Sequence, residues 1–108
     1  MEIIYRYRQD PSGTNDIYDK SYRFIAERKE QHNKAPELGQ KLNFFFKDEE
    51  TPSLDRNETF VVAELSYDDI NGTVIVVLRN DSEGVMAKSA YIDNGWKIIK
   101  EWIRKKRK

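Results

Sequence analysis

The chain has 108 residues, 38% hydrophobic and 35% charged, with nineteen Lys or Arg balanced by nineteen Asp or Glu; this describes one domain able to bury a core unaided. With no cysteine, disulfides, thiol nucleophiles and thiolate metal sites are excluded, and a reducing compartment is compatible. No apolar run approaches a membrane span and the first residues lack the pattern of a secretory signal, so the sequence predicts a soluble cytoplasmic domain without membrane contact.

Residues 2–8 alternate, with Ile3, Tyr5 and Tyr7 on one side and Ile4, Arg6 and Arg8 on the other, which predicts a half-buried strand. Residues 9–15 stack turn formers around Pro11 and Gly13. Over residues 16–33, Tyr18, Tyr22, Ile25 and Ala26 recur at helical spacing and run into a helix-favouring stretch, which predicts a helix. The alternation of Tyr22, Phe24 and Ala26 supports a rival strand over residues 21–26.

Pro36 and Gly39 break the chain before a strand over residues 41–47, with Leu42, Phe44 and Phe46 on one face and Asn43 and Phe45 on the other. Residues 48–58 have the composition of a solvated loop. Two β-branched runs, residues 59–67 and 73–79, flank Asn71-Gly72 and predict a hairpin, because that dipeptide supplies the positive φ of a tight turn. After a turn at residues 80–84 a short strand is expected over 85–91. From residue 93 or 94 onward, Trp96, Ile99 and Ile103 stand three to four apart, as in an amphipathic helix with Lys and Arg in its last turn.

The fold class expected is α+β: a mainly antiparallel sheet of about five strands, open or curled toward a small barrel. It would carry a helix in the N-terminal half and a basic amphipathic helix at the C-terminus. One domain spans residues 1–108, with residues 104–108 as a basic extension.

Catalytic constellations are sparse. The single histidine, His32, lies in a polar stretch and reads as a solvated side chain, with no Gly-x-Ser-x-Gly elbow to serve. One His without Cys cannot assemble a zinc site. Asp68, Asp69 and Asn71 faintly resemble a calcium loop but lack its closing glutamate, and the glycines are isolated turn residues rather than a phosphate cradle. No cofactor is expected.

Charge layout carries more information. Residues 96–108 hold seven Lys or Arg against Glu101 alone, whereas residues 48–83 hold ten acids against Arg56 and Arg79. The leading expectation is therefore a non-enzymatic regulatory or inhibitory protein that docks a partner protein. Its acidic surface would comprise Asp48, Glu49, Glu50, Asp55, Glu58, Glu64, Asp68 and Asp69, with Phe45, Tyr67 and Trp102 as aromatic contacts. Self-association is compatible with such a surface. The alternative is a nucleic-acid-binding module using Lys97, Lys100, Arg104, Lys105, Lys106, Arg107 and Lys108 on the C-terminal helix. A carboxylate-based metal-dependent enzyme ranks third.

Overall fold

The computed structural model describes residues 1–9, 23–48, 50–81 and 86–101. Six strands, β1 (Glu2–Gln9), β2 (Phe24–Gln31), β3 (Lys41–Phe46), β4 (Arg56–Asp68), β5 (Thr73–Asn80) and β6 (Lys97–Glu101), form one sheet in the order β3-β4-β5-β1-β2-β6. Among the described residues the only α-helix is α1 (Lys88–Asp93), and a 3-10 turn spans Pro52–Leu54. The sheet is mixed: β1 runs parallel to β5, while the other neighbours are antiparallel.

Strand alternation sorts the side chains into two faces. Ile3, Tyr5 and Tyr7 of β1 align in register with Val74, Val76 and Leu78 of β5, and all six are buried. Phe24 and Ala26 of β2, with Phe60 and Val62 of β4, extend this inner face across the sheet. β4 is long enough to pair with β3 along its first half and β5 along its second, so it carries β3 around toward the inner face. A register shift between Val62 and Glu64 falls where the strand changes partners, as expected of a bulge that bends a strand.

α1 closes the open side. Tyr91 is fully buried, with ring centroids 5.1 Å from Phe24, 5.0 Å from Phe46 and 5.6 Å from Tyr7. Trp96, just past the helix, packs 5.2 Å from Phe44 and 5.5 Å from Tyr91. Burying each such ring contributes about 2 kcal/mol of transfer free energy, and edge-on contacts add to it. The helix ends in a Schellman arrangement: Trp96 N donates to the Tyr91 carbonyl (2.9 Å), Gly95 N to the Ile92 carbonyl (3.3 Å), and Gly95 takes the positive φ of 88° that this cap requires. Asn94 then ties the helix end to β3, accepting from Lys47 N (2.8 Å) and donating to the Lys47 carbonyl (3.1 Å).

Several expectations are corrected. The α+β class expected is not found: the described residues are mostly β, and the mainly antiparallel sheet of about five strands is a mixed sheet of six. The helix expected over residues 16–33 is absent where the structure describes it: Phe24–Gln31 is a strand, and residues 16–22 lie outside the described residues. Pairing with β1 on one side and β6 on the other satisfies its backbone, and that outweighs the helix propensity of Ala26 to Gln31.

The expected strand over residues 85–91 contains instead the start of α1. The basic C-terminal helix is replaced by β6 over Lys97–Glu101, and residues 102–108 lie outside the described residues. β6 carries a register irregularity opposite Ile25 and Ala26: Ile98 pairs with Ala26 and Lys100 with Ile25, which leaves Ile99 as the extra residue, 44% exposed. That extra residue breaks the period-two pattern and lets Trp96 and Ile99 imitate a helical spacing.

Candidate interaction surfaces

The acidic residues singled out by sequence do not share one surface. Asp48 and Asp55 sit in the β3–β4 connection and serve its backbone: Asp48 N donates to Asp55 Oδ1 (2.7 Å), while Glu50 N and Thr51 N donate to Asp48 Oδ1 (3.1 and 2.9 Å). Asp68 and Asp69 lie at the other end of β4, about 40 Å of strand away. Glu64 is exposed on the outer face, and Glu49 lies outside the described residues.

Glu58 is not a surface acid. It points inward opposite Phe44, is 1% exposed, and is paired through Oε1 with the Arg56 guanidinium, whereas Oε2 is buried with no hydrogen-bond partner among the described residues. The Tyr91 hydroxyl and Trp96 Nε1 are similarly buried without partners. Burial above all, then the negative potential of neighbouring groups, holds the Tyr91 phenol protonated far above its ordinary range, and burial likewise raises Tyr7.

The β4–β5 hairpin tip gathers exposed carboxylates and apolar groups. Asp68 accepts from Ile70 N (3.1 Å), Asn71 N (3.2 Å) and Asn71 Nδ2 (2.8 Å), and the bonds from Asn71 hold its carboxyl below the usual carboxylate range. Gly72 completes the turn with φ 62°. On this fixed turn Ile70 stands 95% exposed and Tyr67 65% exposed. Asp69 is exposed, and neither aspartate forms an ion pair among the described residues. Phe45, 53% exposed, points outward from β3 far from this tip; Trp102 lies outside the described residues.

The outer sheet face gathers cations that are scattered in the sequence. Strand register places Arg8, Ile25 and Lys100 side by side across β1, β2 and β6, and Arg79 follows Leu78, the partner of Tyr7, on β5, continuing the row. The next row holds Val77, Arg6, Glu27 and Lys97, and the one after it Ile75, Ile4 and Lys29. Arg6 is paired with Glu27 at 2.6 Å. Sequence reasoning found Lys97 and Lys100, but not the four cations beside them, because alternation hides a face whose members come from different strands. Arg104, Lys105, Lys106, Arg107 and Lys108 lie outside the described residues.

A cavity of about 310 Å³ opens where Tyr5, His32, Lys34, Pro36, Gln40 and Leu42 meet. His32 is half-exposed, lies 2.7 Å from Glu30 through Nε2 and stands edge-on to Tyr5. Glu30 also binds Arg28 (2.8 Å). Burial, followed by the Glu30 charge, raises the Tyr5 phenol. The one hydroxyl among its lining residues is the Tyr5 phenol, and no Ser, Thr or Cys lines it.

Among the described residues, no group of three or more His, Asp or Glu converges to hold a metal ion, and no helix is long and apolar enough to cross a membrane. The molecule thus belongs to the small mixed sheets that curl around an aromatic core and are closed by one short helix. No protein-family model, curated protein or solved structure matches the chain.

Proposed function

We propose that the protein is a non-catalytic regulatory or inhibitory module that docks a basic protein surface through the tip of its β4–β5 hairpin. The observation carrying this reading is the exposure of Ile70 and Tyr67 beside the carboxylates of Asp68 and Asp69, which form no ion pair among the described residues, on a turn fixed by its own hydrogen bonds. Large apolar groups on a pre-ordered turn can bury area on binding with little ordering entropy, and adjacent carboxylates steer a cationic partner into place. Of the acidic set, Asp68 and Asp69 are the members this reading retains; Glu58 is excluded by its burial.

The test is affinity capture from nuclease-treated lysate with three baits: the native chain, Tyr67→Ala combined with Ile70→Ser, and Asp69→Lys. A protein held by the native chain and lost from both variants supports the reading, and the Asp69→Lys loss should be the more salt-dependent. Capture of the same proteins by all three baits sinks it.

A further inference from the structure

We infer that the outer face of the sheet is a second binding site, independent of the hairpin tip, for the phosphate backbone of duplex nucleic acid. The topology brings Arg79, Arg8 and Lys100 into one row across four neighbouring strands, and adds Arg6, Lys97 and Lys29 in the two rows behind it. With neighbouring strands about 4.8 Å apart and alternate residues about 7 Å apart, these six cations cover a patch of roughly 14 by 14 Å. Each strand of a duplex presents one phosphate per about 3.4 Å of axis, so a patch facing one strand can meet about four phosphates at once.

Among the described residues the middle row holds two carboxylates: Glu27, already bound to Arg6, and Glu64, which stands beside Val77 on β4. Glu2 stands one row further toward the hairpin end, and Asp81 is drawn to Lys41 (3.5 Å). Lys29, Arg79 and Lys97 are exposed and form no ion pair among the described residues, so they reach a ligand without breaking one.

The chemistry between the cations selects the form of nucleic acid. Among the described residues, Ile4, Ile25, Ile75 and Val77 stand between the cations on the outer face of β1, β2 and β5, with no aromatic side chain among them. Sequence-independent single-strand binding depends on bases stacking on aromatic rings, which this patch does not offer. Backbone contact to a duplex needs cations alone. The charge asymmetry agrees: Asp68 and Asp69 are at the hairpin tip, about 20 Å of strand from Arg79, so they do not repel phosphate from the row.

The experiment is fluorescence anisotropy with a labelled mixed-sequence duplex of about 20 base pairs, titrated from about 50 to 200 mM salt. A single strand of the same length and vesicles of an anionic phospholipid serve as competing probes. Duplex binding with a log–log salt slope near −3.6 is expected, since about four neutralised phosphates contribute about −0.9 each. Arg79→Gln and Lys97→Gln, both at exposed positions, should each weaken binding about three- to tenfold, reduce the slope by about 0.9 and leave the melting temperature in place. Deleting residues 104–108 should weaken binding without abolishing it. The inference is overturned by no duplex binding at the lowest salt, or by tighter binding to the single strand or vesicles. It is equally overturned if the tail deletion abolishes binding while both Gln variants bind like the native chain. Because these variants leave the hairpin tip intact, failure here and failure of protein capture are distinguishable.

Discussion

Replacing Arg56 with Met should destabilise the fold far more than replacing Glu58 with Met. The Glu58 carboxylate is 1% exposed and the Arg56 guanidinium beside it is 44% exposed. Removing the guanidinium strands a buried negative charge opposite Phe44 and near Tyr91, and breaking a buried pair in this way costs about 3–5 kcal/mol. Partial exposure of Arg56 places the expectation at the lower end, about 3 kcal/mol at neutral pH, or a fall in melting temperature on the order of 15 °C. Glu58→Met removes the buried charge together with its unpartnered Oε2 and leaves Arg56 free to turn to solvent, so its effect should lie within about 1 kcal/mol of the native chain. The double variant should resemble Glu58→Met alone, giving a coupling of about 2 kcal/mol or more. Urea unfolding followed by circular dichroism supplies all four corners of the cycle. If Arg56→Met costs less than about 0.5 kcal/mol, or the two changes simply add, the pair does not hold the charge in place and the reasoning fails.

Trp96→Ala should cost about 4 kcal/mol in the same assay, because it opens a cavity between Phe44, Phe46, Phe60 and Tyr91 that the short helix cannot collapse to fill. Gly72→Ala should cost about 1 kcal/mol from its φ of 62° alone, since no atom lies within 4 Å of the added methyl group; a neutral result would mean the turn relaxes. Asp68 titrates below its unfolded value, so its contribution to stability is present above about pH 4 and is lost as pH falls through the folded value. Asn71→Ala should move the Asp68 titration, followed by NMR, back toward the ordinary carboxylate range, and an unchanged titration would show that Asn71 is not its cause.

The inner face was legible wherever alternation was clean. Ile3, Tyr5 and Tyr7, then Leu42, Phe44 and Phe46, mark their strands directly, and Asn71-Gly72 marks the hairpin between β4 and β5. Legibility stops where a segment's conformation depends on partners distant in sequence. The helix-forming stretch from Ala26 is a strand because it lies between β1 and β6, and nothing local announces either neighbour. The parallel pairing of Ile3 with Val74 joins residues 71 apart, a choice no short window contains. In β6 the extra residue Ile99 shifts alternation by one position, so Trp96, Ile99 and the residues beyond them take on a helical rhythm in the sequence while their first half builds a strand.

The candidate surfaces fail to read from sequence for a related reason, because charge density along a chain is a one-dimensional measure and a sheet is not. Residues 48–83 form the densest acidic stretch, yet the thirteen residues of β4 carry its acids toward opposite ends and turn Glu58 inward. The cations behave in the reverse way: Arg8, Lys29, Arg79 and Lys97 are far apart in sequence, but their strands adjoin and alternation turns all four outward. A contrast that reads in sequence as acidic body against basic tail becomes, in the folded chain, an acidic hairpin tip against a basic sheet face. That relocation predicts that truncating the tail changes polyanion affinity less than neutralising the face, which is the comparison on which the two descriptions of this molecule part.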